Sequence, residues 1–267
     1  MKYRVIIPLL AAIALFVSGC GSDNVVLGPK RGVEEYIEDT IPVKGLANLD
    51  VSIESGNLEV YTWDKDEVKL EITKRIRGQE DEEALKKKLG DFSIDINKDE
   101  NVVSVQAAYK GSTKNPVDIS TDIRMYIPKK AASFDCNVKV GQIKFFDDIR
   151  CNLNFLIDRA NVSINRMIGK LSLNADMCDL KVSEGRMLEG SNVKINMGNI
   201  YVKSEFGDEG TYFFDTGMGS LEVNLPDGSP VTIECVGSLE VNEFPETGHD
   251  TKVSLRSGMG KIAVRKY

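Results

Sequence analysis

Histidine is almost absent from this chain: His249 is the single one in 267 residues. That excludes most histidine-based acid–base catalysis and metal ligation, and His249, flanked by Gly248 and Asp250, reads as a turn residue. No apolar run reaches the roughly 18 residues that a spanning helix needs; the candidate near the start, Val5 to Val17, has thirteen. A basic stripe is also missing. Net charge is −7 with acids spread along the chain, and no Lys/Arg patch is interleaved with aromatics, so nucleic acid is not an expected partner. There is no G-x-S-x-G and no phosphate-cradling glycine loop, which leaves no nucleophile constellation and no cofactor to expect. With 42% apolar and 28% charged residues and no low-complexity tract, what remains is an ordinary globular composition.

What is present is a repeated phrase. An apolar residue, Gly, any residue, apolar, any residue, apolar recurs as Val140-Gly141-Gln142-Ile143-Lys144-Phe145, Ile168-Gly169-Lys170-Leu171-Ser172-Leu173 and Met197-Gly198-Asn199-Ile200-Tyr201-Val202. It returns around Gly219, Gly237 and Gly260, with Ala160 and Cys178 in the glycine slot of two weaker copies. The spacing is about twenty residues, within the range of repeat architectures. Glycine suits a corner, and the alternation after it suits a half-buried strand. Second strands, such as Lys252-Val253-Ser254-Leu255, fall half a period later. This pattern predicts an all-β fold, a β-solenoid of single-stranded β-helix type with about 20 residues per coil, each coil buried against its neighbours. A β-sandwich of short hairpins is the competing architecture.

The N-terminus reads as an export signal. Lys2 and Arg4 precede the apolar run, which is too short to span a membrane and ends in Val17-Ser18-Gly19-Cys20. These four residues resemble the lipobox of bacterial lipoproteins, although Val17 stands where that motif usually has Leu. The resemblance implies cleavage before Cys20, a diacylglycerol on its sulfur, and anchoring by two or three acyl chains, which is enough for stable attachment. Residues 21–32, with Gly, Pro, Asp and Asn, read as a short tether.

From Val33 to Pro128 the chain is β-rich but less regular. Ser55-Gly56-Asn57-Leu58-Glu59-Val60 repeats the phrase and leads into the alternating strand Val68-Lys69-Leu70-Glu71-Ile72. Asp81 to Leu89 reads as the one helix, acids first and lysines last, with Gly90 as its stop. A hairpin follows, Phe92–Ile96 and Val102–Ala107, and Ile123, Met125 and Ile127 alternate into Pro128. This half is expected to cap the N-terminal end of the repeats.

On the segment Ser55 to Val68, the acidic helix with its hairpin, Ile123-Arg124-Met125-Tyr126-Ile127-Pro128-Lys129 and the G-x-[ILV]-x-[VF] units, the chain from about Leu46 to Val264 resembles a bacterial family of candidate adhesins built of β-strand repeats. That family has no assigned function. The resemblance implies a right-handed, β-solenoid-like stack located outside the cytoplasm.

Three groups of residues could carry chemistry. Cys136, Cys151, Cys178 and Cys235 all fall on the apolar phase of their strands, where free cysteine acts as a small hydrophobe. In the coil register Cys136 and Cys235 would stand roughly 20 Å apart, beyond the ~7 Å between Cα atoms that a disulfide or a shared metal tolerates. Four buried thiols are therefore expected. Asp147, Asp148, Asp158, Asp176 and Asp179 could serve a polysaccharide-cleaving groove, but their spacing gives no converging pair and suits solvated turns. Asp95-x-Asn97-x-Asp99 imitates the start of a calcium loop without the required glycine, and with Gln106 where the bidentate Glu belongs. Tyr61, Trp63, Tyr201 and the run Tyr212-Phe213-Phe214 could stack on sugars or simply pack across strands; Tyr61 and Tyr201 lie on the polar phase.

The sequence thus predicts residues 1–19 as a removed lipoprotein signal peptide, 20–32 as lipidated Cys20 and tether, 33–133 as a β-rich cap with one short helix, and 134–267 as the repeats. It predicts a non-enzymatic adhesin or scaffold of the bacterial cell envelope, held at the outer membrane or the outer face of the cytoplasmic membrane through Cys20. No catalytic, cofactor-binding or metal residue is assigned. A glycan, a matrix protein or an envelope protein are the ligand classes left open. A carbohydrate-active enzyme and an envelope-sensing accessory protein are the alternatives.

Overall fold

A computed structural model describes residues 31–112, 118–207 and 209–267. The export signal, Cys20 and the tether up to residue 30 lie outside the described residues. The first strands are β1 (Arg31–Pro42), β2 (Ala47–Trp63) and β3 (Glu67–Gly78), followed by helix α1 (Glu82–Leu89), the hairpin β4 (Phe92–Asp99) and β5 (Val102–Tyr109), and β6 (Asp118–Pro128). The long strand β7 (Lys130–Gly169) opens the repeats. After it come β8 (Leu171–Met177), β9 (Leu180–Met187), β10 (Asn192–Met197), β11 (Ile200–Lys203) and β12 (Glu205–Phe206). The chain ends with β13 (Gly210–Met218), β14 (Leu221–Leu225), β15 (Val231–Asn242) and β16 (Thr251–Lys266).

The all-β expectation holds; the solenoid does not. Eight strands close on themselves in the order β7-β8-β10-β13-β16-β14-β11-β9 and back to β7, a parallel barrel with the remaining strands outside. Two long strands make the closure. β7 pairs β8 through Leu153–Arg159 and β9 through Val162–Gly169. β16 pairs β13 through Thr251–Met259 and β14 through Ile262–Lys266. The stacking is also out of chain order at the C-terminal end. Ser254 of β16 faces Glu234 one repeat back on one side and Phe213 two repeats back on the other, so β15 is displaced to the outside. A repeat of about twenty residues fixes how far apart partners lie in sequence, and parallel strands in a barrel satisfy it as well as stacked coils do. The handedness expected of the solenoid falls with it.

The inward phase of the barrel strands is mainly apolar and fills the interior, as eight-stranded barrels require, with Thr216, Thr251 and Ser257 as buried polar exceptions. Leu153, Phe155, Leu171, Leu173, Val193, Ile195, Tyr212, Phe214, Leu221, Val223, Ile200, Val202, Leu180 and Val182 are all buried. This core runs without a break into β2, β3, β5 and β6. β2 joins the two regions by pairing parallel with β7 on one side and with β5 and β6 on the other. Beside it, Leu85 and Leu89 of α1 pack on Val33 and Ile76 as a small second cluster. The helix starts where its sequence dictates: the Asp81 side chain accepts from Ala84 N–H, with Glu82 and Glu83 in the first turn and three lysines in the last.

The bends between walls are made by glycines in extended backbone of positive φ. At Gly198 (φ 139°) a Cβ would sit 2.0 Å from the Cys178 carbonyl oxygen, and at Gly219 (φ 153°) 2.0 Å from that of Gly198. The glycine slot therefore has two causes, a φ that L-residues avoid and a backbone pressed against the next rung.

All four described cysteines are free. Cys136, Cys151 and Cys178 are buried as expected, but Cys235 is half-buried, because its strand β15 lies outside the barrel and pairs with β16 alone. Burial pushes the Cys151 and Cys178 thiols up to about 12, and raises those of Cys136 and Cys235 too. Since the thiolate is the reactive form, native protein at pH 8 should react with a disulfide reagent slowly, and first at Cys235. Denatured, unreduced protein should release four thiols from these positions, with a fifth where Cys20 carries no lipid. Fewer than four contradicts the packing.

Candidate functional site

The surface feature that stands out is a row of aromatic rings on β6, β2 and β7. In the parallel register Tyr61 lies opposite Tyr126, and Val60 opposite Phe145, which places Phe146 beside Tyr61. The rings follow. Tyr61 and Phe146 stack at 4.7 Å with 2° between their planes, and Tyr61 and Tyr126 at 5.3 Å with 24°. Trp63 extends the row, 5.5 Å from Tyr126. It is fixed by its indole N–H, which donates to the Glu67 carbonyl at 2.7 Å. Phe146 is 41% exposed, and the other three rings are half-buried. Side chains at i and i+2 of one strand share a face, so Tyr61 and Trp63 look outward together while Val60 points into the core.

Cations edge the row. Arg124 lies 5.9 Å from the Tyr61 ring, Lys69 5.9 Å from Tyr126 and Lys65 4.4 Å from Trp63, a range in which the ring quadrupole attracts charge. Each is tied down in turn. Arg124 pairs with Glu59 at 3.1 Å and Glu71 at 3.4 Å, and Lys69 with Glu71 at 2.8 Å and Glu38 at 3.3 Å. The hydrogen bond to Glu71 holds the Lys69 ammonium above its ordinary range, and the one to Glu59 does the same for Arg124. Partial burial, with the Glu59 carboxylate second, raises the Tyr61 phenol, so the ring stays neutral. A furrow of about 270 Å³ runs alongside, lined by Tyr36, Glu59, Glu71, Arg75, Asp122 and Arg124. The assembly is a flat apolar platform with fixed donors and acceptors at its rim, which suits a ligand having one apolar and one hydroxylated face.

The aromatics picked from sequence divide. Tyr61 and Trp63 belong to the row. Tyr201, on β11, is half-buried, with Lys181 6.0 Å from its ring, and stands apart from it. Tyr212 and Phe214 are fully buried in the barrel, and this corrects their reading as sugar-stacking candidates. Tyr126 and Phe146 were missed, although a signal existed. Consecutive strand residues face opposite sides, so the pair Phe145-Phe146 must expose one ring, and Phe145 is 3% exposed.

The acids do not converge on one bond. Asp147 and Asp148 line a cleft of about 530 Å³ with Lys129, Lys130 and Arg150, where Asp147 accepts from Thr62 N–H at 2.9 Å. Asp176 accepts from the Asn196 amide at 2.8 Å. Asp179 accepts from both the backbone and side-chain N–H of Asn199, at 2.8 and 3.0 Å. Asp158 is exposed on β7. Among the described residues no His, Cys, Asp or Glu group could hold a metal. His249 donates its backbone N–H to Thr232 Oγ1 at 2.9 Å, with its ring 3.6 Å from Glu246.

No protein-family model and no curated protein matches the chain. Among solved structures it is similar to a candidate cell adhesion protein from Clostridium sporogenes, with 12% identity and a TM-score of 0.33 over 88% of this chain and 100% of that one. A candidate adhesin from Bacteroides fragilis shows 12% identity and a TM-score of 0.42 over 86% and 97%. A candidate lipid-binding protein from Parabacteroides distasonis shows 12% identity and 0.36 over 86% and 96%. All three scores are below 0.5, and what each protein does is a property of that protein alone.

Proposed function

We propose that this chain is an adhesin-like, non-catalytic binding module of the bacterial cell envelope. It is held outside the cytoplasm by a lipid on Cys20 and grips carbohydrate across Tyr61, Tyr126, Phe146 and Trp63. The aromatic row carries the reading. The faces of the rings are electron-rich, and the C–H-bearing face of a pyranose presents the complementary partial charge. The ion-paired rim residues Arg124, Glu59 and Glu71 offer the donors and acceptors that sugar hydroxyls need. The anchor rests on the lipobox-like Val17-Ser18-Gly19-Cys20.

Two experiments test it. Protease shaving of intact cells should remove the protein while cytoplasmic controls survive; protection until the envelope is opened defeats the surface reading. On an array of bacterial and host polysaccharides the full chain should bind a defined subset. Loss of one stacking ring is worth on the order of 1–3 kcal/mol by analogy with base stacking, so Tyr61→Ala should weaken binding about tenfold or more. Equal binding by Tyr61→Ala rules out the row, and release of shortened sugar would make the protein an enzyme.

A further inference from the structure

The residue just before the corner slot, held by Cys178, Gly198, Gly219 and Gly260, repeats as methionine, and the barrel puts these methionines side by side. Met177 faces Met197, Met197 faces Met218, and Met218 faces Met259 on four successive parallel strands. They are 41%, 41%, 40% and 64% exposed, whereas Met125, Met167 and Met187 are fully buried. Methionine is ordinarily a core filler, and this row is not needed as one: Val140 and Arg159 hold the equivalent slot in the earlier repeats. Met177 and Met197 line an open groove of about 470 Å³ together with Arg159, Cys178, Asp179 and Gly198.

We propose that this methionine row is a binding site for soft monovalent metal ions of the copper(I) and silver(I) class. Adjacent strands lie about 4.8 Å apart, so neighbouring thioethers can be brought to a spacing that one two-coordinate soft cation bridges. Thioethers select soft cations over calcium, magnesium or zinc. Four sulfurs in one row accommodate two such ions, and the groove's open side admits them.

The test is silver nitrate titrated, without chloride, into the full chain in detergent with its methionine methyls labelled with ¹³C. The signals of Met177, Met197, Met218 and Met259 should move and those of Met125, Met167 and Met187 should stay, with about two ions bound per chain. Silver binds thiolates more tightly than thioethers, so Cys178, which lines the groove, and the half-buried Cys235 are both changed to Ala in the chain that is titrated. In that background, changing all four row residues from Met to Leu keeps apolar cover and the glycines, and should weaken silver binding at least tenfold. If the row methyls do not move, or the fourfold Leu variant binds silver as tightly as its parent, the proposal is wrong. A fatty acid that moves these methyls where silver does not, and still binds the Leu variant, also overturns it in favour of an apolar ligand. The methyl readout does not need the Leu variant, so the test survives if that variant fails to fold.

Discussion

Gly198→Ala should lower Tm by roughly 10 °C. Two effects add. The φ of 139° is one that residues with a Cβ avoid, at about 1–3 kcal/mol. The new methyl would also lie 2.0 Å from the Cys178 carbonyl oxygen, a backbone atom that cannot swing aside, and overpacking of this kind costs about 1–3 kcal/mol more. A chain of this size loses about 2–4 °C per kcal/mol. Gly228→Ala separates the two effects. Its φ is 76° but no atom lies within 4 Å of the added Cβ, so it should cost about 1 kcal/mol. Scanning calorimetry on the pair decides: equal losses mean that the close approach of the rungs carries no weight.

Tyr212→Ala should destabilise by about 3–5 kcal/mol, the range for deleting a large buried ring. Tyr212 is fully buried and stacks on Phe206 at 4.4 Å. Its hydroxyl accepts from Gly207 N–H at 2.8 Å and reaches the Met187 carbonyl at 3.4 Å. Tyr212→Phe keeps the ring and strands the Gly207 donor, so its cost should fall to about 1–3 kcal/mol. Denaturant melts of both variants check the order. A Phe variant as unstable as the Ala variant would mean that the hydroxyl, not the ring, holds β13 in the barrel.

The strands were legible because period-two alternation records which side chains meet the core: Leu58, Val60, Val68, Leu70, Ile123, Met125 and Ile127 are all buried as their phase requires. The helix was legible from the Asp81 cap and the order of its charges. Which strand lies beside which was not. The β7–β9 and β16–β14 pairings that close the ring join strands whose local sequence is indifferent to the choice, since each offers the same apolar-x-apolar edge two residues after a corner slot held by Ala160, Cys178, Gly219 or Gly260. Likewise no residue of β15 announces that β16 will take its place against β13. Half of the candidate site was legible: Tyr61 and Trp63 share an outward phase within one strand, whereas Tyr126 and Phe146 reach them only through the long-range register of β6 and β7. The methionine row was visible as a repeated letter in the phrase, but its alignment depends on the long-range register of β8, β10, β13 and β16.

Trp63 is the only tryptophan in the chain, and it stands at one end of the aromatic row. Its emission is therefore a direct reporter of the proposed platform. Polysaccharide fragments that the full chain retains should be titrated while Trp63 fluorescence and the reducing ends in solution are followed together. The account predicts a saturable change in emission, weakened about tenfold or more in Tyr61→Ala, with no new reducing ends. Retained fragments that leave Trp63 emission unchanged, or that lose length as it changes, would contradict it.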